Sequence, residues 1–232
     1  MDCMVDFSKA PKDTFAVTVS KLKQDMFTAG TNTTYTLLEW VMAELLRHPG
    51  IMKEMQDEMR GIIGSRPNIT EEDIEQMHYL KMVIKETLRL HPPIPLLIPR
   101  ESTQDVKIQG YDIPTKTRVI INSWAIMRDP LSWERAEEFH PKRFMNAAGS
   151  SIDFRGHDFQ MIPFGAGRRG CPGKEFAAAI NELVLANLLH KFDWTLPNRA
   201  SGKDLDMEED SGITIHKKSP LLVATPHYCY HE

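Results

Sequence analysis

The stretch Phe164-Gly165-Ala166-Gly167-Arg168-Arg169-Gly170-Cys171-Pro172-Gly173 is the most informative part of this 232-residue sequence. It places one cysteine at the start of a predicted helix, where backbone N–H groups and the helix dipole favour a thiolate. The glycines before the cysteine let the backbone approach a flat group, on whose face Phe164 can pack. Arg169 can then reach an anionic substituent of that group. Cysteine thiolate is one of the few protein ligands for haem iron.

Two other interpretations of this stretch stay open. A lone cysteine in a glycine-rich loop is often a buried structural residue. The spacing Gly-x-Gly-x-x-Gly over 165–170 also matches a dinucleotide fingerprint, with Asp193 at about the right distance for a ribose contact. However, only residues 161–164 stand where a strand is needed, and Pro172 puts the helix start beyond the last glycine.

Composition and charge describe an ordinary globular chain. Lys and Arg total 28 against 32 Asp and Glu, so the net charge of −4 indicates neither a nucleic acid nor any other partner. Three distant cysteines, Cys3, Cys171 and Cys229, exclude a disulfide framework and favour a reducing compartment. The longest apolar run is the five residues 176–180, and residues 1–20 lack a hydrophobic block. We therefore expect neither a membrane span nor a signal peptide, and a soluble chain.

Hydrophobic periodicity predicts a mainly α fold with small β hairpins. The predicted helices each carry an apolar stripe, and they lie at about 21–47, 49–63, 77–90 and 172–192. Thr70 and Asp73 predict a capping box for one more short helix. The β runs 106–108 and 119–121 flank the turn-rich segment 110–114, which favours a hairpin between them.

The other segments are predicted less regularly. Residues 127–170 predict a long functional loop, and the final forty residues predict short strands around an acidic turn. The methionines of the second helix are predicted as core filler. The apolar side of the last helix is predicted to comprise Phe176, Ala179, Ile180, Leu183, Val184 and Leu188.

Taken together, Phe-x-x-Gly-x-Arg-x-Cys-x-Gly at 164–173 resembles the haem-binding signature of the cytochrome P450 superfamily. Glu86 and Arg89, three apart on a helix, alone predict only a surface pair. Within the resemblance they match the family's Glu-x-x-Arg helix, whose pair is locked by Arg143 of a Pro-x-Arg-Phe segment. Such a buried Arg-Glu-Arg cluster is stable only when fully hydrogen-bonded, so we interpret it as structural.

The segment Ala29-Gly30-Thr31-Asn32-Thr33-Thr34 is unusual inside a helix, because glycine and threonine weaken it. A threonine hydroxyl can bond the carbonyl four residues earlier and bend the helix. The segment resembles the family's oxygen-binding helix, with Thr33 at the threonine that bonds iron-bound dioxygen. Asn32 departs from the usual acid, and an amide cannot titrate. Two interpretations stay open. Proton delivery is slower or mediated by water, or the enzyme catalyses a reaction that needs less proton delivery, such as a rearrangement of an oxygenated substrate.

The resemblance also implies roles for other residues. Cys171 would be the axial ligand of the iron of haem b, and Arg100 and Arg169 would bind the haem propionates. Further haem contacts would come from Phe164, Gly167, Ala29 and Gly30. The substrate pocket would be lined by Ile94, Leu96, Leu97, Ile98 and Ile213. The apolar character of that lining implies an apolar substrate.

The resemblance is to plant A-type members and covers only the C-terminal half of such an enzyme, so 1–232 would be one partial domain. It implies a monooxygenase that inserts one atom of O2 into a small apolar metabolite. Electrons would come from an NADPH-dependent reductase at the cytosolic face of the endoplasmic reticulum, whereas the family's membrane anchor is absent from this sequence. The alternatives are an inactive truncated fragment with weak or no haem binding and, less favoured, a nucleotide-binding module.

Overall fold

The computed structural model describes residues 12–145 and 152–224, so Cys3 and Cys229 lie outside the described residues. Six α-helices account for nearly half of the described residues: α1 Lys12–Arg47, α2 Pro49–Ile63, α3 Glu71–Gln76, α4 His78–Leu90, α5 Ser123–Ile126 and α6 Lys174–Lys191. Short 3-10 turns are found at Pro141–Phe144, Gly167–Arg169, Pro197–Arg199 and Gly202–Asp204. The mainly α class predicted from periodicity is confirmed.

Two helix starts follow local sequence signals, whereas the start of α1 does not. Pro49 begins α2 directly after α1 has ended. The Thr70 hydroxyl accepts a hydrogen bond from the N–H of Asp73, whose carboxylate accepts one from the N–H of Thr70, so the predicted capping box is present. The predicted start of the first helix at about 21 was wrong, since α1 already includes 12–20. That part contains β-branched residues, whose low helix propensity masks it.

Two small antiparallel ladders replace the predicted hairpin. Strand β2, Val106–Ile108, pairs with β3, Tyr111–Ile113, and β1, Arg100–Glu101, pairs with β4, Arg118–Val119. The prediction that 106–108 and 119–121 face each other was therefore wrong. Gln109 and Gly110 both have positive φ, at 49° and 89°, and form the two-residue turn that closes β2 on β3.

Predicted strands in the last forty residues are replaced by isolated contacts. In the described part of this segment, two bridges pair Thr195 with Ala224 and Glu209 with Lys217. Within 193–224 the prediction of short strands was wrong, since the backbone pairs there only at these two bridges.

The hydrophobic core lies where α1 packs against α2, α4 and α6. Met52, Met55 and Met59 of α2 are buried there, which confirms their prediction as core filler. Other members with no more than 2% exposure include Val41, Leu45, Leu80, Val83, Ile84, Leu88, Met127, Met161, Leu185 and Leu189.

The buried side of α6 differs from the prediction. Phe176 is 60% exposed and Leu183 is 39% exposed, whereas the buried residues are Asn181, Leu185, Ala186 and Leu189. Apolar residues surround almost the whole circumference of this helix, so its sequence does not select one face. Packing against α1 and α2 makes that choice.

Among the described residues, no helix combines the length and the apolar character that crossing a membrane requires.

Gly202 is a position where the fold leaves no room for a side chain. A Cβ at Gly202 would overlap the carbonyl oxygen of Leu46 and lie 2.8 Å from the Cα of Arg47, at the end of α1. We expect Gly202→Ala to lower the free energy of unfolding by about 1–3 kcal/mol, because backbone must move to accept the methyl group. Urea denaturation followed by circular dichroism measures this change.

Gly61 is the matched control, since it lies exposed inside α2 and a methyl group there would meet no atom within 4 Å. Gly61→Ala should raise the free energy of unfolding by about 0.5–1 kcal/mol, because alanine favours the helix. Equal changes for the two variants would contradict the packing argument.

Candidate functional site

The cysteine loop, residues 162–173, is closed by its own backbone. The N–H of Cys171 donates to the carbonyl of Phe164 at 2.8 Å, and that of Gly165 donates to Ile162 at 2.9 Å. Gly165 and Gly167 have φ values of 68° and 66°, in the left-handed region that glycine adopts without strain. These bonds involve backbone groups, and the thiol of Cys171 is free and exposed. The loop therefore presents the sulfur outward, just before α6.

Arg100 on β1 reaches the same loop. A Cβ at Gly165 would lie 3.5 Å from Nη2 of Arg100 and 3.6 Å from Cδ1 of Leu97. Gly165 thus forms the floor of a cradle between the cysteine loop and β1, and any larger residue would fill it. The structure brings together the sequence-predicted residues Arg100 and Leu97 with the loop that carries Cys171.

Other residues of the loop take up distinct positions. Phe164 is partly buried against Phe154, with the ring centroids 5.4 Å apart. Gly167 and Arg169 belong to the exposed 3-10 turn Gly167–Arg169. Gly156 also supports the loop, because a Cβ there would lie 3.2 Å from the carbonyl oxygen of Gly165. Phe154 and Gly156 were not predicted from sequence, since only the fold brings them to the cysteine loop.

The weak segment of α1 remains helical. The hydroxyl of Thr33 donates to the carbonyl of Ala29 at 2.6 Å, which is the back-bonding expected of threonine in a helix. Ala29 and Gly30 are exposed, and a Cβ at Gly30 would meet no atom within 4 Å. Asn32 donates from Nδ2 to the hydroxyl of Thr214 at 3.4 Å. Asn32 therefore contacts a segment 182 residues away, which its position in the helix did not reveal.

The predicted pocket residues are grouped in two segments that touch. The N–H of Ile215 donates to the carbonyl of Pro93 at 3.0 Å, which joins the tail turn to the segment after α4. The apolar side chains predicted for the pocket are partly or largely exposed, at 48% for Leu96, 61% for Ile98 and 77% for Ile213. Ile94 and Leu97 are half-buried.

Glu86 stands at the centre of a buried ionic cluster. Arg89 binds it through two parallel hydrogen bonds, from Nε to Oε2 at 2.8 Å and from Nη2 to Oε1 at 3.0 Å. Arg143 donates from Nε to Oε1 at 3.0 Å, and the backbone N–H of His140 donates to the same oxygen at 2.8 Å. Glu86 and Arg89 are fully buried. The structure thus brings together all three residues predicted for the lock.

The guanidinium groups also hold the irregular segment after α5. Arg89 has five N–H donors, and the three that do not bind Glu86 donate to the carbonyl oxygens of Met127, Ala136 and Glu138. Arg143 donates to further carbonyls of the same segment, those of Glu134, Arg135 and Glu138. Both cations face the ring of Trp133, at 5.2 and 5.8 Å from its centroid. The cluster is therefore fully hydrogen-bonded and orders a segment without regular structure.

A second buried carboxylate, Glu44 of α1, was missed by sequence analysis. Oε1 of Glu44 lies 2.8 Å from Nε2 of His91, and Oε2 lies 3.3 Å from Nδ1 of His48. Burial alone would raise the pKa of Glu44, but the contacts with His48 and His91 outweigh it and lower that pKa to about 2. The same contact with Glu44 raises the pKa of His48. Glu44 and His48 are four apart on a helix, but the contact with His91 depends on the fold.

The dinucleotide interpretation lacks its structural context. Residues 161–164 do not form a strand, and α6 begins at Lys174, four residues after the last glycine of the string. A nucleotide-binding turn needs a strand before it and a helix directly after it.

Comparison with known protein families supports the resemblance that the cysteine loop carries. The family model described as Cytochrome P450 matches residues 12–224. The chain belongs to the cytochrome P450 family. A solved structure of a zebra fish cytochrome P450 with abiraterone superposes with a TM-score of 0.75 at 32% identity, over 88% of this chain and 47% of that one. The predicted family and its partial fold are thereby confirmed.

Several curated plant proteins are similar to this chain over most of its length. Cytochrome P450 736A117 of Prunus mume is 59% identical over 91% of this P450 chain and 41% of its own length. Norfluorocurarine oxidase of a Strychnos species is 54% identical over 96% of this chain and 44% of its own length. (+)-Menthofuran synthase of Mentha piperita is 50% identical over 97% of this chain and 46% of its own length. This P450 chain thus spans less than half the length of the relatives it matches.

Loss of the charge on Glu86 is expected to destabilise the P450 chain strongly. Glu86→Gln leaves the two guanidinium groups without their shared anion, so the free energy of unfolding should fall by about 3–5 kcal/mol. The neighbouring surface pair Lys142–Glu54, at 2.6 Å and nearly half exposed, is the matched control. Lys142→Gln should change the free energy of unfolding by less than about 1 kcal/mol. Chemical denaturation of both variants checks this, and equal losses would contradict the role of burial.

Glu44 is expected to make stability depend on pH below about 4.5. Because its folded pKa of about 2 lies below the ordinary 4.5, its contribution is present above pH 4.5 and is lost as the pH falls toward 2. The stability difference between the native chain and Glu44→Gln should therefore shrink by up to about 3 kcal/mol over that range. Denaturation curves at a series of pH values measure it.

Glu182 provides a control, because its effect on stability should change with pH in the opposite direction to that of Glu44. Burial raises the pKa of Glu182, so ionisation of this carboxyl opposes folding. Glu182→Gln should therefore gain stability relative to the native chain as the pH rises from 4 toward 7. A Glu44→Gln difference that does not change with pH would contradict the ion contacts with His48 and His91.

Proposed function

We propose that the protein containing this chain is a haem-thiolate monooxygenase, in which the thiolate of Cys171 would hold the iron of haem b. The observation that carries the proposal is the exposed thiol of Cys171 on a loop whose hydrogen bonds are made by its own backbone. Membership of the P450 family, in which a cysteine thiolate binds haem iron, supplies the context.

The residues around the thiol fit a haem group. A single sulfur donor, a nearby guanidinium and a glycine-floored cradle suit a flat iron complex with carboxylate substituents. Arg100 would bind one propionate, and Arg169 would bind another from the exposed 3-10 turn. Phe164, Gly167, Ala29 and Gly30 would contact the haem ring. Glu86, Arg89 and Arg143 would act indirectly, by fixing the segment that leads to the loop.

A bound haem with a thiolate ligand would supply O–O bond cleavage and oxygen transfer to the substrate. Thr33 would hold a proton at its hydroxyl oxygen and offer it to dioxygen after leaving the carbonyl of Ala29. Asn32 would contribute by orienting water, because its amide has no titratable proton. Both interpretations of Asn32, slower proton delivery or a reaction that needs less of it, belong to this proposal.

The substrate in this proposal is a small apolar plant metabolite. Ile94, Leu96, Leu97, Ile98 and Ile213 would supply the apolar lining, and two plant relatives carry the names norfluorocurarine oxidase and (+)-menthofuran synthase. Electrons would come from an NADPH-dependent reductase, and the complete protein would act at the cytosolic face of the endoplasmic reticulum. Both follow from the family resemblance.

Reconstitution with haem tests the proposal directly. We expect the purified chain, after reduction and addition of carbon monoxide, to show the strongly red-shifted Soret band of a thiolate-bound haem. Cys171→Ser should lose that band because serine provides no thiolate, while its far-ultraviolet circular dichroism should be unchanged.

The outcomes separate the alternatives. A folded chain without the band would favour the inactive fragment that binds haem weakly or not at all. Retained NAD binding in Cys171→Ser, together with no haem band in the native chain, would favour the nucleotide-binding module.

A further inference from the structure

One side of α1 contacts the tail turn, residues 209–217, through four polar side chains. Asn32, Thr36, Glu39 and Trp40 are spaced by one to four residues and share one face, and we call them the α1 strip. The members of the strip bond Thr214, His216, Lys217 and Ile215 respectively. These four bonds to successive residues of the turn fix its position against α1.

Trp40 makes the central contact of the strip. Its Nε1 donates to the carbonyl of Ile215 at 2.9 Å, and the Trp40 side chain is almost completely buried. His91 stacks on the ring, with centroids 4.2 Å apart and planes within 4°, and bonds Glu44 on the same helix. The N–H of Ile215 meanwhile donates to Pro93. Ile215 is therefore held from α1 on one side and from the segment after α4 on the other.

Thr36 connects the strip to the only histidine of the turn. Its hydroxyl is fully buried, donates to the carbonyl of Asn32 at 2.9 Å and lies 2.7 Å from Nδ1 of His216. The hydroxyl thus lies within hydrogen-bond distance of both the α1 backbone and the tail turn. The ring of His216 lies 5.5 Å from that of Tyr35.

Backbone contacts complete the attachment. The N–H of Lys217 donates to Oε2 of Glu39 at 3.2 Å, and the N–H of Asp210 donates to the carbonyl of His216 at 2.9 Å. Between these fixed points the turn projects Ile213, which is 77% exposed. The turn is thus anchored at its second half and presents one large apolar side chain at its tip.

We propose that the α1 strip, through Thr36 and Trp40, positions the tail turn and thereby determines which apolar substrates the site accepts. The inference rests on the proposed function, because it treats Ile213 as part of the substrate pocket. A turn displaced along α1 would move Ile213 relative to Leu96 and Ile98, which lie on the segment bonded to the same turn. The strip residues are positioning residues, since they act through the turn.

Thr36→Val tests the strip because it keeps the side-chain shape and removes only the hydroxyl. We expect backbone amides of 210–217 to exchange hydrogen for deuterium about 2- to 10-fold faster, as the loss of one hydrogen bond predicts. Thr36→Ser should restore slow exchange, because it keeps the hydroxyl. Thr31→Val, at an exposed position of the same helix, is the matched control and should leave exchange of the turn unchanged.

Substrate selection is measured in the same preparations with benzene, naphthalene and phenanthrene, three apolar probes of graded size. Equilibrium dialysis gives their Kd values with or without haem. In Thr36→Val the ratio of the phenanthrene to the benzene Kd should change by about threefold or more, and Thr36→Ser should restore the native ratio.

Hydrogen exchange and the Kd ratios test the two parts of the proposal separately. Unchanged exchange in Thr36→Val would overturn the positioning role, and faster exchange with unchanged Kd ratios would overturn the role in selection. Failure of the proposed function is seen separately, as absence of the carbon monoxide band in the native chain, while exchange and dialysis still decide the inference.

Discussion

The buried carboxylate of Glu86 is the constraint on which the rest of this structure depends. An ionised carboxylate inside a core is tolerated only if its oxygens are fully hydrogen-bonded. Here Arg89, Arg143 and the N–H of His140 supply those bonds. The same guanidinium groups bind backbone carbonyls between 127 and 138, so a segment without regular secondary structure acquires a defined path. The cysteine loop, further along the chain, packs on Phe154 and Gly156.

Helix α1 combines three tasks. Val41 and Leu45 contribute to the core, Thr33 is the proposed oxygen-side residue, and the α1 strip holds the tail turn. Helical periodicity separates the core residues from the polar residues of the strip. Polar residues that weaken the helix locally, such as Asn32 and Thr36, are used for contacts with a segment about 180 residues away.

Much of the fold and part of the candidate site could be predicted from sequence, because their signals are local. The helix breaks at Pro49 and the capping box at Thr70 depend on neighbouring residues, and both are found in the structure. The β pairing and the buried face of α6 could not be predicted. Gln109 and Gly110 formed a tighter turn than composition indicated, and α6 is apolar on nearly every side. For the site, the motifs identified Cys171, Glu86 and Arg143, whereas His91, Trp40 and Glu44 carried no recognisable pattern.

The sequence alone determined the family, the mainly helical class and the set of residues proposed to bind haem. These properties lie in short motifs whose spacing can be read without knowing what they touch. Tertiary structure decided which groups meet: Arg100 with the loop at Gly165, His91 with Glu44, and the tail turn with α1. The physical reason is that hydrogen bonds and packing act over a few ångströms in space. Their partners are separated by tens to hundreds of residues along the chain, so only the folded backbone brings them within range.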